Sequence, residues 1–285
     1  MKSLSFLILT TMSMFGTSTA WFWHWNIFKP WNCLNDETEP GKRWTDLKVT
    51  FRKFSSLPET MRDAEKGGWK KTASCNDVSS YFRGNRYVLG SDTSTMVLYD
   101  SKGDFAGIQF GIAKSLATHK SFKKSHWNEE GDSFVITAYF THPSRICQGE
   151  RTKDNLFIQT GPTPNDLMSI PYEESNLGPT PWVKGKCFLL MGQHYWFNVS
   201  KDMSCDDTFP VFLLYNKQKL IGFGWAMIAD LQKTKRVEHP SQSQVKYFFD
   251  EKTQPKCLAE QGIKLTTQHV YLKKYPWFII CPLFG

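Results

Sequence analysis

Two stretches decide the fold: VLYDSKGDFAGIQFGIA at residues 97–113 and LLYNKQKLIGFGWAMIA at residues 213–229. Each is an apolar run that ends in a turn former, Asp100 or Asn216, and then resumes as a second apolar run. Apolar runs on both sides of a short polar turn are typical of β-hairpins. Glycines inside the second run of each stretch indicate a bulge or a close backbone approach. Both stretches therefore predict pairs of antiparallel strands.

The features around these hairpins follow the same order in both halves of the chain. The first half runs WKKTASC, NRYVLGSD, the first hairpin and VITAYFTHPSRIC, and the second runs WVKGKC, QHYWFNVSKD, the second hairpin and VKYFFDEKTQPKC. This alignment matches Tyr139-Phe140 to Phe248-Phe249 and predicts a strand over VKYFFD. Because all β-hairpins use similar residue types, chance similarity is the alternative to duplication. The order predicts a mainly β protein of two sequence-related antiparallel β units, sandwich-like or barrel-like.

Composition divides the chain further. The segment 1–20 joins one Lys, an apolar run and small residues before Ala20, a pattern typical of a secretory signal peptide. LPETMRDAEKGGW, at 57–69, is the best helix candidate, with Pro58 and Glu59 in its first turn and Gly67 as its end. The predicted segments are a signal peptide (1–20), a Trp-rich N-terminal segment (21–43), β unit 1 (44–160), a Pro-rich linker or loop (161–181) and β unit 2 (182–285).

All seven cysteines follow the signal segment, and their spacing contains neither a CxxC pair nor a zinc-knuckle pattern. In an exported protein such cysteines are expected to form structural disulfides. The repeat predicts one disulfide in each unit and a third that joins the chain ends, which gives the pairs Cys75–Cys147, Cys187–Cys257 and Cys33–Cys281. Cys205 has no counterpart in the first unit and is therefore predicted to be a free or intermolecular thiol.

The charge pattern and one modification motif restrict the partners. The formal net charge is +8, but the basic residues are spread along the chain and form no nucleic-acid stripe. A glycan, a protein or a membrane surface remains as a partner class, whereas nucleic acid is not expected. The sequence FNVS supplies a glycosylation sequon at Asn198.

Motifs for catalysis are missing from the sequence. There is no GxSxG elbow, HExxH, phosphate-binding glycine loop or EF-hand series. The seven histidines are scattered, and none recurs at a matching place in the two units. A duplicated metal site would be expected to duplicate its ligands, so we predict no catalytic residue, metal or cofactor. His142 precedes Cys147 by an odd spacing, which on a strand points the two side chains to opposite faces.

The segment WFWHWNIFKPW, at residues 21–31, concentrates aromatic residues at the expected mature N-terminus. Three interpretations compete. The rings form a lid buried on the β core, a binding ridge for sugars or a partner, or an interfacial membrane contact. The tryptophans concerned are Trp21, Trp23, Trp25 and Trp31.

The function expected from these observations is extracellular binding or structural work by a secreted, disulfide-bonded glycoprotein. The first alternative is a secreted hydrolase with its site between the two β units, which would bring histidines and acids together in a cleft there. The second alternative is a membrane-active venom or defence protein, because of the Trp-rich segment and the positive charge.

Overall fold

The computed structural model describes residues 43–77, 81–150, 154–231 and 234–282. As the sequence predicts, the protein is mainly β, with two antiparallel sheets in a sandwich-like arrangement. In this part of the chain the strands are β1 (Lys48–Val49), β2 (Ser55–Ser56), β3 (Trp69–Ala73), β4 (Asn85–Leu89), β5 (Asp92–Tyr99), β6 (Phe105–Ala113), β7 (Asn128–Glu130), β8 (Ser133–Tyr139), β9 (Leu156–Gln159), β10 (Leu167–Ile170), β11 (Trp182–Phe188), β12 (Gly192–Phe197), β13 (Val211–Asn216), β14 (Lys219–Ile228) and β15 (Leu265–Tyr271).

The two sheets share one strand order. In the first sheet β3, β4, β5, β6 and β8 form an antiparallel meander, which β9 and β10 extend, while β7 pairs with β8. In the second sheet β11 to β15 form the same meander, which β1 and β2 extend. The second sheet is therefore completed by strands from the start of the predicted first unit.

The strand register of the hairpin in the first sheet agrees in detail with that of the hairpin in the second sheet. Leu98 lies opposite Gly107 and Leu214 lies opposite Gly222, and in both hairpins a bulge follows immediately, before Tyr99 or Tyr215. Bulges at equivalent positions give the two hairpins the same local bend and twist.

A close backbone approach explains the glycine in each hairpin. A Cβ atom at Gly107 would lie 2.5 Å from the carbonyl oxygen of Ala138, and one at Gly222 would lie 2.6 Å from that of Val270. Neither distance is compatible with a side chain, so glycine is required at both positions.

One hydrophobic core lies between the sheets and draws on both. Alternation along β5 sends Val97 and Tyr99 into this core and Leu98 to the outer face of the first sheet. Leu213 and Leu214 divide in the same way between the core and the outer face of the second sheet. Because additional segments cover the outer faces, the central strands are buried on both sides.

Short helices connect the strands: α1 (Met61–Lys66), α2 (Pro143–Ile146) and α3 (Gln242–Val245). The helix predicted within 57–69 is confirmed as α1, and its C-cap is Gly67. It begins after Thr60, whose side chain accepts a hydrogen bond from Asp63 N, so Pro58 and Glu59 precede the helix. The strand predicted over VKYFFD is wrong, because that stretch begins at the end of α3 and continues as a turn.

Three disulfides join the described cysteines. Cys75–Cys147 is present as predicted. The predicted pair Cys187–Cys257 is wrong, since Cys187 bonds Cys281 and Cys257 bonds Cys205. Cys205 is therefore not a free thiol, and the predicted pair of Cys281 with Cys33 is excluded; Cys33 itself lies outside the described residues.

A long connection in the second half explains the wrong pairing. Gly107 pairs with Tyr139, and Gly222 pairs with Tyr271, so the second pair is much farther apart along the chain than the first. The extra residues lie between β14 and β15, at 229–264, and they contain Cys257. The cysteine that follows the last meander strand, as Cys147 does, is Cys281.

The segment 161–181 contains more than a loop. It includes β10, which pairs with β9, and a 3-10 helix at Glu174–Leu177. Among the described residues no helix has the length and apolar character needed to span a membrane.

Candidate functional site

The site is a pocket between the outer face of the second sheet and the β14–β15 connection. It has a volume of about 240 Å³. Strands β12 and β15 supply its floor, and the 238–248 part of the connection supplies one wall. Its lining residues are Phe51, Arg52, Phe188, Met191, His194, Trp196, Phe212, Glu238, His239, Pro240, Gln244, Phe248, Thr267 and His269.

Aromatic rings form most of the wall. The Phe188 ring lies 5.9 Å from that of Phe51 and 5.4 Å from that of Phe248, between ring centroids. On the floor, His194 stacks on Trp196 at 6.1 Å and on Phe212 at 5.6 Å. Such a surface binds the flat or aliphatic part of a small molecule by burial and ring contact.

Glu238 brings a carboxylate into this apolar setting. It accepts hydrogen bonds from the backbone N–H of Phe51 at 2.6 Å and from the Thr267 hydroxyl at 2.8 Å. Burial works to raise the pKa of Glu238, but the neighbouring His269 and the hydrogen bonds to the carboxylate outweigh it. The pKa therefore lies below its usual value, and the pocket contains an ionised acid at neutral pH.

His194 is buried in the floor and neutral. Burial and the proximity of His269 lower the pKa of His194 to about 3. Its Nδ1 lies 3.2 Å from the carbonyl oxygen of Lys186, so the neutral ring donates a hydrogen bond there. This contact fixes the ring orientation and the tautomer.

His269 leaves hydrogen-bonding capacity unused. Its Nδ1 lies 3.2 Å from Glu238 Oε2, at an angle outside hydrogen-bond geometry, and its Nε2 has no partner within the described parts of the chain. Buried polar atoms are usually paired, so an unpaired imidazole nitrogen in a pocket floor marks a place for a ligand group. The role of Nε2 follows the protonation of the ring: it donates from an imidazolium and accepts when Nδ1 carries the only proton.

An ion pair occupies the equivalent region of the first sheet. Arg86 lies opposite Leu98 as His194 lies opposite Leu214. The Arg86 guanidinium donates two hydrogen bonds of 2.6 Å to the Glu130 carboxylate. The Tyr81 hydroxyl also donates to Glu130. An Arg–carboxylate pair with two parallel bonds is geometrically fixed, so this network covers the face around Arg86 in one arrangement.

A second pair of corresponding positions also differs between the two outer faces. Gln109 lies opposite Thr137, and its Nε2 donates to the Thr137 hydroxyl at 2.9 Å. The corresponding pair in the second sheet is Gly224 and His269. Without a side chain at 224, the Phe212 ring occupies that position, only 2.1 Å from where a Cβ would lie. An amide in one sheet is thus replaced by an aromatic ring in the other.

Sequence reasoning did not find this pocket. His194 and His269 are far apart in the sequence and have no counterparts in the first unit, so no local pattern groups them. Alternation along β12 could have placed His194 beside Trp196 on one face. The alternation could not predict that β15 brings His269 next to His194, because that requires the strand order. It also could not predict that the long connection forms a wall of the pocket.

Other predicted site residues have these positions. Asn198 directly follows β12, is exposed and has a left-handed φ of 49°. His142 caps α2, and Cys147 is in a disulfide. The ridge residues Trp21, Trp23, Trp25 and Trp31 lie outside the described residues.

In residues 43–77, 81–150, 154–231 and 234–282, no group of three His, Cys, Asp or Glu side chains is arranged to hold a metal ion. Comparison of the chain with protein-family models, with curated proteins and with solved structures finds no match.

Proposed function

We propose that this chain is a secreted binding protein that holds a small ligand in the pocket on its second sheet. The observation that carries the proposal is the pocket itself, an aromatic wall around one ionised carboxylate and one unpaired imidazole nitrogen. Sites for small organic ligands are mainly apolar clefts with a few convergent polar groups.

The extracellular setting is part of this proposal. Three disulfides suit an oxidising compartment, and residues 1–20 have the composition of a signal peptide. The sequon at Asn198 adds a predicted glycan. The shared strand order and the matching bulges support an internal duplication, in which the long connection was gained by the second half.

The lining restricts the ligand. A cavity of about 150 Å³ accepts a benzene ring, so about 240 Å³ accepts a somewhat larger body. The Glu238 carboxylate accepts hydrogen bonds. A fitting ligand therefore combines an aromatic or aliphatic body with one hydrogen-bond donor, such as a hydroxyl or an amine.

A hydrolase remains the second candidate, because His194, His269 and Glu238 do converge. They converge on the outer face of the second sheet rather than between two units. Thr267 is the hydroxyl-bearing residue of the wall, and its hydroxyl already donates to Glu238. This geometry provides no activated side-chain nucleophile, which favours binding over turnover.

The proposal is tested by titrating the secreted protein with 2-naphthol and with naphthalene, which lacks the donor group. We expect saturable binding of 2-naphthol and at least about tenfold weaker binding of naphthalene, because a hydrogen bond to a charged acceptor contributes about 1.5–3 kcal/mol. Equal affinities would show that Glu238 and His269 do not select the ligand. Steady release of product from 2-naphthyl acetate, lost in His269→Gln, would favour the hydrolase.

A matched pair of variants locates the binding. Phe188 and Phe157 are both half-buried rings, one in the pocket wall and one on the outer face of the first sheet. Phe188→Ala should weaken 2-naphthol binding at least about tenfold, whereas Phe157→Ala should leave it unchanged. If both variants bind as the parent protein does, the pocket is not the site.

A further inference from the structure

Exposed apolar side chains concentrate in one place, next to the pocket but outside it. The described part of the chain exposes six large hydrophobic side chains, and four of them belong to two segments that are joined to each other. These four are Leu189, Trp277, Phe278 and Ile280, with exposed fractions between 43% and 59%; we call them the apolar patch. A patch of this kind on an otherwise polar surface marks an interaction site.

Ordered structure holds the patch in position. Leu190 N donates to the carbonyl oxygen of Ile279 at 3.0 Å, and the Cys187–Cys281 disulfide joins the same two segments. Trp277 lies in the 3-10 helix Pro276–Phe278, and its ring is 6.1 Å from that of Phe54. The exposed side chains are therefore presented by a fixed backbone.

Basic residues surround the patch. The flanking segments 51–54, 186–191, 216–218 and 273–282 contain no Asp or Glu. They carry six basic residues, which are Arg52, Lys53, Lys186, Lys217, Lys273 and Lys274. Hydrogen bonds confirm that these segments meet, since Asn216 donates to the carbonyl oxygen of Ile280. The four segments therefore carry a formal charge of +6, and Lys274 also lies 3.8 Å from Asp46, which is outside them.

We infer that the apolar patch docks this protein on anionic lipid membranes. Tryptophan and phenylalanine insert at the headgroup level, and surrounding lysines and arginines are attracted to acidic lipid headgroups. An aromatic centre flanked by segments of net positive charge has the chemistry of that interface. A second copy of the chain would bring the same positive rims together, and their repulsion disfavours self-association through this face.

Phe54 lies beside the patch, and its ring centroid is 6.4 Å from that of Phe51 in the pocket wall. Docking would therefore place the pocket near the lipid surface. The docking inference does not depend on the ligand proposal, because patch and pocket are formed by different side chains.

Sedimentation with vesicles tests the inference on the full secreted chain. We expect binding to vesicles of roughly two parts phosphatidylcholine to one part phosphatidylserine, and weaker binding to phosphatidylcholine alone. Trp277→Ala/Phe278→Ala should lower the partition coefficient at least about tenfold, and Leu116→Ala, an exposed side chain elsewhere, should not change it. Lys273→Gln/Lys274→Gln should weaken binding to the acidic vesicles alone.

Three results would overturn the inference. The first is no binding of the parent protein to either vesicle. The second is binding that Trp277→Ala/Phe278→Ala leaves unchanged, which would assign it to another part of the chain. The third is a dimer, measured by light scattering, that the same double variant dissociates, because the patch would then be a contact between copies.

Discussion

The two sheets share a strand order and register, but their outer faces carry different side chains. In the first sheet, Arg86 and Glu130 close the face with a fixed ion pair. In the second sheet, the position of Arg86 is taken by His194, which stacks among aromatic rings and leaves a cavity above it. The comparison teaches that the meander supplies a scaffold, while a few outward-facing side chains decide whether its surface is sealed or open.

The long connection between β14 and β15 makes the second difference. It brings Glu238 and Phe248 over the sheet, and the Cys205–Cys257 disulfide ties it to the β12–β13 connection. The shorter connection in the first sheet instead supplies Glu130 on β7, which seals the face. The proposed ligand pocket thus lies where the two halves differ most in length.

The largest effect is expected from the disulfides that the two halves share. Closing loops of 72 and 94 residues contributes about 4–5 kcal/mol each by the loop-entropy estimate. Cys75→Ser/Cys147→Ser and Cys187→Ser/Cys281→Ser should each lower the free energy of unfolding by this amount, measured in urea. Because the two loops are similar in length, the two double variants should lose similar unfolding free energy. Clearly unequal losses would show that the two disulfides are not equivalent.

Acid should weaken the second sheet through His194. Its folded pKa is about 3, below the ordinary value of about 6.5, so between these values the unfolded chain binds the proton and the folded chain does not. Stability is full above pH 6.5 and falls as the pH drops. At pH 4.5 the loss from this residue is about 2–3 kcal/mol, and Glu238, whose folded pKa is also lowered, adds a loss of the same sign.

Urea unfolding at pH 7.5 and pH 4.5 measures this loss. His194→Gln should reduce the difference between the two pH values. It should not remove it, because burial also lowers the pKa of His126, to about 4. An unchanged difference in His194→Gln would show that His194 is not held neutral in the folded protein.

The hairpin glycines should respond alike in the two sheets. Gly107→Ala and Gly222→Ala each place a Cβ against a carbonyl oxygen, at 2.5 and 2.6 Å, so each should cost about 2 kcal/mol. Gly178→Ala is the control, since its nearest contact would be 3.9 Å away and its φ is ordinary. If one hairpin tolerates alanine, its bulge is not equivalent to the other.

The smallest expected effect concerns two tyrosines. The hydroxyl of Tyr99 donates to the carbonyl oxygen of Pro58 at 2.7 Å, and that of Tyr215 donates to the carbonyl oxygen of Pro171. Tyr99→Phe and Tyr215→Phe should each lower the free energy of unfolding by about 1 kcal/mol. Unequal losses in thermal unfolding would show that the segments preceding the two meanders are anchored differently.

The sequence predicted what depends on local patterns. The hairpins at 97–113 and 213–229 and the helix α1 follow from short-range signals, whereas the Cys75–Cys147 disulfide was predicted from the internal repeat. The partner of Cys187 was missed because the alignment assumed connections of equal length. The pocket was missed because it requires β12, β15 and the long connection together, and no pattern within one segment describes such a meeting.

Photo-crosslinking tests most directly whether one face is open and the other sealed. The protein is labelled with a diazirine derivative of 2-naphthol, and the modified peptides are identified by mass spectrometry. The account predicts label within 188–196, 238–248 and 267–269, and its loss when excess 2-naphthol competes. Competed label within 81–86 or 130–139, with none at the pocket, would contradict it.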